Sequence, residues 1–306
     1  MSPRAPSLPP VAALDLAVVG HVNLDRFLLA PHLPAPDRTV PLDGQRLCLG
    51  GTAGNIARVA ARQGLRVGLS AGVGTDFPPG FRRLLRSEGI DLRGLETVRG
   101  RNTPACFIVE DGRGGQMTLI DQGVFADDAG FAFRPGPVRR ASFAHLTTGP
   151  PDALLALAEA LQGGPRLAAD PAQEIHYRWD RAKLHRLLEA SEILFGNRAE
   201  LARAARLLGL SGPSRLTIQV PLVVGTLGAQ GSVAYTRRGT ERLPARTPRS
   251  IRQVTGAGDA FRGGFYLGWC GGLPLRECLA MGGETAAQWI EGNGSLQPPP
   301  PGGSSA

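Results

Sequence analysis

One stretch constrains this chain more than any other: Thr255-Gly256-Ala257-Gly258-Asp259-Ala260-Phe261-Arg262-Gly263-Gly264-Phe265. Two glycines alternate with alanine, run into an acid, and give way to apolar residues at helical spacing (Ala260, Phe261, Phe265, Leu267). A glycine-rich turn that opens a helix aims successive backbone N–H groups into one concavity, and the helix dipole adds partial positive charge there. Such a turn holds an anion without any side chain. Asp259, in the first helical turn, is expected to be ionised beside that anion. A carboxylate so placed can take the proton from a hydroxyl that attacks a phosphoryl group. The competing reading of the same residues is a tight turn and a helix cap.

The rest of the chain supplies a second glycine-rich helix start. Residues 14–20 form a short apolar strand ending in glycine, and His21-Val22-Asn23-Leu24-Asp25 follows it. Polar residues just past a parallel strand stand at the carboxyl edge of the sheet, where open α/β folds bind ligands. Asp25 is thus a candidate for holding substrate hydroxyls, or else an ordinary loop acid. After a proline-broken segment comes Gly50-Gly51-Thr52-Ala53-Gly54-Asn55-Ile56-Ala57. Thr52 is expected to cap a helix with Ala53, Ile56, Ala57 and Ala60 inward, Arg58 and Arg62 outward, and Gly64 at its end. The paired glycines permit close approach of a ligand to the backbone, and Asn55 lies within reach of it.

Composition narrows the function classes. The net charge of +8 invites a nucleic-acid reading, but the basic residues are nearly all arginine and scattered, as in the isolated pairs Arg82-Arg83, Arg139-Arg140 and Arg237-Arg238. No nucleic-acid partner is expected. Lys183, the sole lysine, does not follow a glycine, which excludes a G-x-x-x-x-G-K-[ST] phosphate loop. Cys48, Cys106, Cys270 and Cys278 form no C-x-x-C pair, and the histidines form no H-x-x-x-H pair, so no structural metal is expected. No apolar run is long enough for a membrane span, and the start of the chain lacks the pattern of a secretory signal. A cytoplasmic location with no membrane partner is the expectation.

The two glycine-rich helix starts, Gly50-Gly51 with Asn55 and Val254 to Asp259, resemble the signature motifs of the ribokinase/PfkB-like carbohydrate kinase family. Three further stretches add to the likeness. Gly72-Val73-Gly74-Thr75-Asp76 resembles the family's G-x-V-G-x-D strand end, Asn197-Arg198-Ala199-Glu200 its N-x-x-E motif, and Thr226 to Gly231 its T-x-G-x-x-G nucleotide turn. Five motifs in the right order cover nearly the whole chain.

The resemblance implies an α/β fold: a doubly wound, mostly parallel sheet flanked by helices, with a small β-sheet lid. The kinase domain would span residues 14–294, between tails at 1–13 and 295–306. The lid would come from residues 26–49 and 103–122, the latter reading as a hairpin about the turn at 111–115. Carried over residue by residue, the likeness makes Asp259 the base and the N–H groups of Gly256, Ala257 and Gly258 the anion hole. Asp25, Gly50, Gly51 and Asn55 would hold the substrate. Asn197 and Glu200 would organise Mg²⁺, Glu200 through water, and Thr226, Gly228 and Gly231 would border ATP. The implied activity is transfer of the γ-phosphoryl group to a primary hydroxyl of a sugar or nucleoside, with a homodimer formed through the lid. A catalytically weak sugar- or nucleoside-binding regulator is the alternative. Arg262 either reaches an anionic group or makes a surface or interdomain salt bridge. Gln253 stands where many members carry an acid that contributes to a monovalent-cation site.

Overall fold

Leu16 and Val18 of the first strand face one layer of core, and Ala17 and Val19 face the other. That two-sided burial places the strand inside a sheet covered on both faces. The computed structural model describes residues 13–127 and 130–292. The expected terminal tails therefore lie outside the described residues, except for Ala13.

In chain order the strands are β1 (Leu14–Val19), β2 (Asn23–Leu29), β3 (Gly44–Gly50), β4 (Val67–Gly74), β5 (Asp91–Val98), β6 (Ala105–Glu110), β7 (Gln116–Asp121), β8 (Ala141–Leu146), β9 (Arg166–Ala169), β10 (Ile193–Asn197), β11 (Leu222–Thr226), β12 (Ser232–Thr236) and β13 (Gly239–Leu243). The α-helices are α1 (Thr52–Arg62), α2 (Pro79–Ser87), α3 (Pro135–Val138), α4 (Pro151–Ala160), α5 (Arg181–Glu189), α6 (Arg198–Leu207), α7 (Ala257–Cys270) and α8 (Leu275–Ile290).

The large sheet runs β13-β12-β11-β10-β9-β8-β1-β4-β5. It is parallel from β11 to β5, with β12 and β13 added antiparallel at one edge. Helices α1, α2, α7 and α8 cover one face through Ile56, Leu85, Phe265 and Leu279. Helices α4, α5 and α6 cover the other through Leu154, Leu187 and Leu201. The chain leaves β1 towards β4 on one side and returns with β8 on the other, so the strand order reverses at β1. The crevice beyond the carboxyl ends of the strands at such a reversal is the natural ligand site of an open α/β sheet.

The second sheet, order β3-β2-β6-β7, is the expected lid. Its hairpin β6–β7 pairs Glu110 with Gln116 across the anticipated turn. Strand β2 is antiparallel to β3 and parallel to β6. The lid begins earlier than expected, because Asn23 to Asp25 continue into β2 and do not form a loop.

Two features of α1 also depart from the sequence reading. The N-cap is Gly51 at φ 89°, with Thr52 already helical and making no capping bond. A Cβ on Gly51 would lie 2.5 Å from the His21 carbonyl oxygen, so the turn is too close-packed for a side-chain cap. Arg58 does not face outward. It is 1% exposed, and its Nε donates to Glu88 Oε2 at 2.7 Å, an acid 30 residues away that local spacing could not reveal.

Candidate active site

Several strands of the sheet deliver residues to the site at their carboxyl ends. β1 leads through Gly20 towards the lid strand carrying Asp25, Asp170 directly follows β9, β10 ends at Asn197 and β11 at Thr226. Helix α7 closes the group from the opposite side. Its N-cap, Gly256, adopts the left-handed conformation at φ 84°, and the ring of Trp289 would lie 2.7 Å from a Cβ there. The Trp289 Nε1–H donates to the Thr255 carbonyl at 2.8 Å, so α8 buttresses the turn from behind.

The turn, Asp259, Arg262, Asn197, Glu200, Thr226, Gly228, Thr52, Ala172 and Gln173 line a cleft of about 390 Å³. Of the three residues expected to form an anion hole, Gly256 and Gly258 line this cleft. Ala257 lines the neighbouring cavity, and its N–H donates to the Val254 carbonyl at 3.1 Å. That bond closes the turn just before the helix.

Asp259 lies at the cleft floor, and its Oδ2 accepts from Asn55 Nδ2 at 2.9 Å. Removal from water raises its carboxyl to about 6, against the opposing pull of Arg262 and the Asn55 hydrogen bond. The first-turn acid is thus a stronger base than its helix position alone implies. Asp25, on the lid, stands close by. Burial, reinforced by the charge of Asp259, raises its carboxyl to about 7. Its Oδ1 is buried without a partner, as is Oδ1 of Asn23 on the same strand face. A Cβ on Gly50 would fall 1.9 Å from Asp25 Oδ2, so only glycine leaves the carboxylate room. Asp25, Gly50, Asn55 and Asp259 therefore form one cluster, while Gly51 shapes the turn beneath it.

Asn197 caps α6, accepting from the Ala199 and Glu200 amides at 2.9 and 3.0 Å. Glu200 returns the favour by accepting from the Asn197 amide at 2.7 Å, a reciprocal capping box. Burial raises the Glu200 carboxyl above its ordinary value. A second cavity of about 480 Å³ shares Thr226, Gly228 and Gly258 with the cleft and continues past Gly231 between β13 and α8. Its wall of Leu243, Leu279, Ala287 and Ile290 is apolar and suits a planar base. Helix α8 was absent from the sequence reading.

Sequence reasoning also missed the setting of Arg262. It is neither on the surface nor between domains, but 5% exposed and paired with Asp170, which is itself wholly buried. Burial alone would raise Asp170, yet the Arg262 charge and the His145 hydrogen bond hold it at about 2. Ala172, two residues on, has φ 46°, a conformation unusual for alanine that marks the cleft wall. Only the structure shows that signal.

The fold is ribokinase-like, with a large mostly parallel sheet and a small lid sheet, and comparison with known proteins agrees. The chain belongs to the pfkB family of carbohydrate kinases, whose model matches residues 13–301. It is therefore a phosphotransferase with an alcohol acceptor. It is 30% identical to a nucleoside kinase of Methanothermobacter thermautotrophicus over 92% of this chain and 91% of that protein. It is 31% identical to a cytidine kinase of Thermococcus kodakarensis over 91% of this chain and 96% of the relative. The crystal structure of the Methanocaldococcus jannaschii nucleoside kinase, an archaeal member of the ribokinase family, superposes with a TM-score of 0.85 at 27% identity and covers 92% of each chain.

Proposed function

We propose that this kinase transfers the γ-phosphoryl group of ATP to a primary hydroxyl of a nucleoside, with Asp259 as the base. The observation that carries the reading is the Asp259 carboxylate. It is half-buried beside the cleft, oriented by Asn55, raised to about 6 by desolvation, and placed beside a glycine turn that presents helix N-terminal amides. A base near neutrality combines the right protonation state with a useful driving force.

In the step, the acceptor oxygen forms a bond to phosphorus as the bond from phosphorus to the bridging oxygen breaks. The hydroxyl proton passes to Asp259, and the electron pair of the broken bond stays with ADP. The amides of Gly256 and Gly258 face the oxygens on which negative charge is carried. Asp25 and Asn23 offer unpartnered oxygens to the acceptor's other hydroxyls, which fixes its orientation.

The residues fit the implied cofactors. The apolar cavity and the cleft are continuous through Thr226, Gly228 and Gly258, matching a base joined to a phosphate chain. The buried carboxylate of Glu200 beside Asn197 suits Mg²⁺ held mainly by phosphate oxygens and water. Bound there, Mg²⁺ supplies charge neutralisation of the phosphates. A cytoplasmic setting belongs to this reading, supported by four free cysteines; among the described residues no helix is long and apolar enough to cross a membrane. The exposed Leu47, Met117 and Leu119 of the lid support pairing of two copies; sedimentation at monomer mass would count against it.

The test of the main reading is ADP release with ATP, Mg²⁺ and a panel of ribose, fructose, adenosine, inosine and cytidine. Turnover with a nucleoside is expected. Binding shifts in melting temperature without ADP release from any acceptor would overturn it.

A further inference from the structure

Behind the phosphoryl cleft runs a line of buried polar side chains from three elements: Tyr266 and Arg262 on α7, His145 on β8 and Asp170 after β9. His145 Nδ1 lies 2.8 Å from the Tyr266 hydroxyl, and His145 Nε2 lies 3.1 Å from Asp170 Oδ2. Arg262 meets the same carboxylate with two nitrogens, Nε donating to Oδ2 and Nη2 donating to Oδ1 at 2.8 Å. His145, Asp170 and Tyr266 are fully buried.

This two-pronged grip uses one edge of the guanidinium and fixes its plane. The remaining nitrogen, Nη1, points elsewhere. It lies 3.0 Å from the position a Gly258 Cβ would take, against the anion turn, and Arg262 lines the cleft beside Asp259 and Glu200. Among the described residues Nη1 holds no hydrogen bond. A buried cation whose role was only to neutralise Asp170 would not need an edge open to the cleft. Helix geometry accounts for the placement, since Arg262 lies three residues beyond Asp259 and so shares its face.

We propose that Arg262 Nη1 contacts the γ-phosphoryl group during transfer, an arginine supplied in cis, with Asp170 as its positioning residue and His145 and Tyr266 holding Asp170. This rests on the kinase reading above and adds a cationic donor to an anion site otherwise made of backbone amides. Charge on the equatorial phosphoryl oxygens is what such an arginine stabilises.

The test separates the charge acting on phosphate from the charge balancing Asp170. Arg262→Gln removes the cation but leaves Asp170 buried and uncompensated, so the variant is also expected to melt lower. The double variant Arg262→Gln with Asp170→Asn removes both charges and is expected to recover the melting temperature. Its kcat stays down by about a hundredfold, the usual loss for one donor to a transition-state oxyanion. Calorimetry with a non-hydrolysable ATP analogue and with ADP supplies a readout independent of turnover. The variants should lose about tenfold or more of the analogue's affinity relative to ADP, as expected when a charged donor to the γ-phosphate is removed.

A double variant whose kcat returns with its melting temperature would overturn the proposal and leave Arg262 as a counter-ion. So would an unchanged preference for the analogue over ADP with a raised KM for the acceptor, which would place the arginine on an acceptor anion. If the wild-type protein turns over no acceptor, the kinase reading falls. The analogue-to-ADP ratio still decides for or against Arg262.

Discussion

Asp170 and Asp25 are both carboxylates withdrawn from water at the same end of the molecule, and their surroundings shift them in opposite directions from the ordinary value. Asp170, on the donor side, is held at about 2 by Arg262 and His145. Asp25, on the lid, is raised to about 7 by burial and the nearby charge of Asp259. The donor half is matched by the protein's own groups: the Asn197–Glu200 box, the Arg262–Asp170 pair and the Trp289 strut. The acceptor half is left with unpartnered oxygens on Asn23 and Asp25. Buried polar atoms are normally paired. On the proposed reading, the difference means that the phosphate side is assembled before ligands arrive, whereas the lid side is left for a hydroxylated ligand to complete.

The largest expected effect is at the boundary between the halves. Asp259→Asn keeps the side-chain volume and an oxygen for Asn55, but removes the proton acceptor. Turnover should drop by at least about a hundredfold while nucleotide and acceptor still bind. In the wild type, kcat/KM should fall as pH drops through about 6, the value at which burial holds Asp259. The stability sign is fixed by the same shift. A folded-state value above the ordinary 3.8 means that the stabilising contribution is complete below pH 3.8 and is lost as pH rises through about 6. The variant escapes that loss, so at pH 8 it should melt no lower than wild type. Near-normal turnover in the variant would reduce Asp259 to a helix-start acid and erase the contrast between the halves.

Asp25→Asn comes next. Loss of a charged hydrogen-bond acceptor should raise the acceptor KM by roughly 10- to 100-fold. The change in kcat should be small, because Asp25 orients hydroxyls and moves no proton. Its shift is also upward, so its stabilising contribution is lost as pH rises from 3.8 through about 7. The Asn variant should therefore melt higher than wild type at pH 8, and the gain should vanish at pH 4. A collapse of kcat at unchanged KM would put Asp25 in the chemistry and break the division proposed here.

Much of this site was legible in the sequence because its makers are local. The Gly256–Asp259 turn, the Asn197–Glu200 box and the Thr226–Gly231 turn are each set by residues within six positions of one another. The apolar face of α1 was readable for the same reason, since period 3.6 is a local property. What stayed hidden depends on partners distant in sequence. Arg58 faces Glu88, Arg262 faces Asp170, and Trp289 on α8 braces Thr255. The sequence reading expected Arg58 outward and left Arg262 between an anionic group and a surface or interdomain salt bridge, because spacing carries no information about an acid 30 or 92 residues away. Asp25 was placed in a loop because only the lid's pairing, Asp25 with Cys48 and Cys106, reveals that β2 continues through it.

The smallest effect is expected from potassium, and it tests whether the donor half needs any help from outside. The likeness to potassium-activated family members would put a carboxylate at position 253, where this chain has Gln253. A cation site there would draw on that side chain and neighbouring carbonyl oxygens. Here Gln253 presents a donor: its Nε2 reaches the Trp289 carbonyl at 3.4 Å. The Gln253 and Arg252 amides donate to the Ile290 carbonyl at 3.3 and 2.9 Å, and the Thr255 carbonyl already accepts from Trp289 Nε1 at 2.8 Å. With a neutral amide in place of an acid and these oxygens engaged, replacing NaCl by KCl at constant ionic strength should leave kcat unchanged within assay error. A saturable rise specific to K⁺ would show that the turn relies on an ion to set its geometry. In that case the donor half is no more complete on its own than the lid.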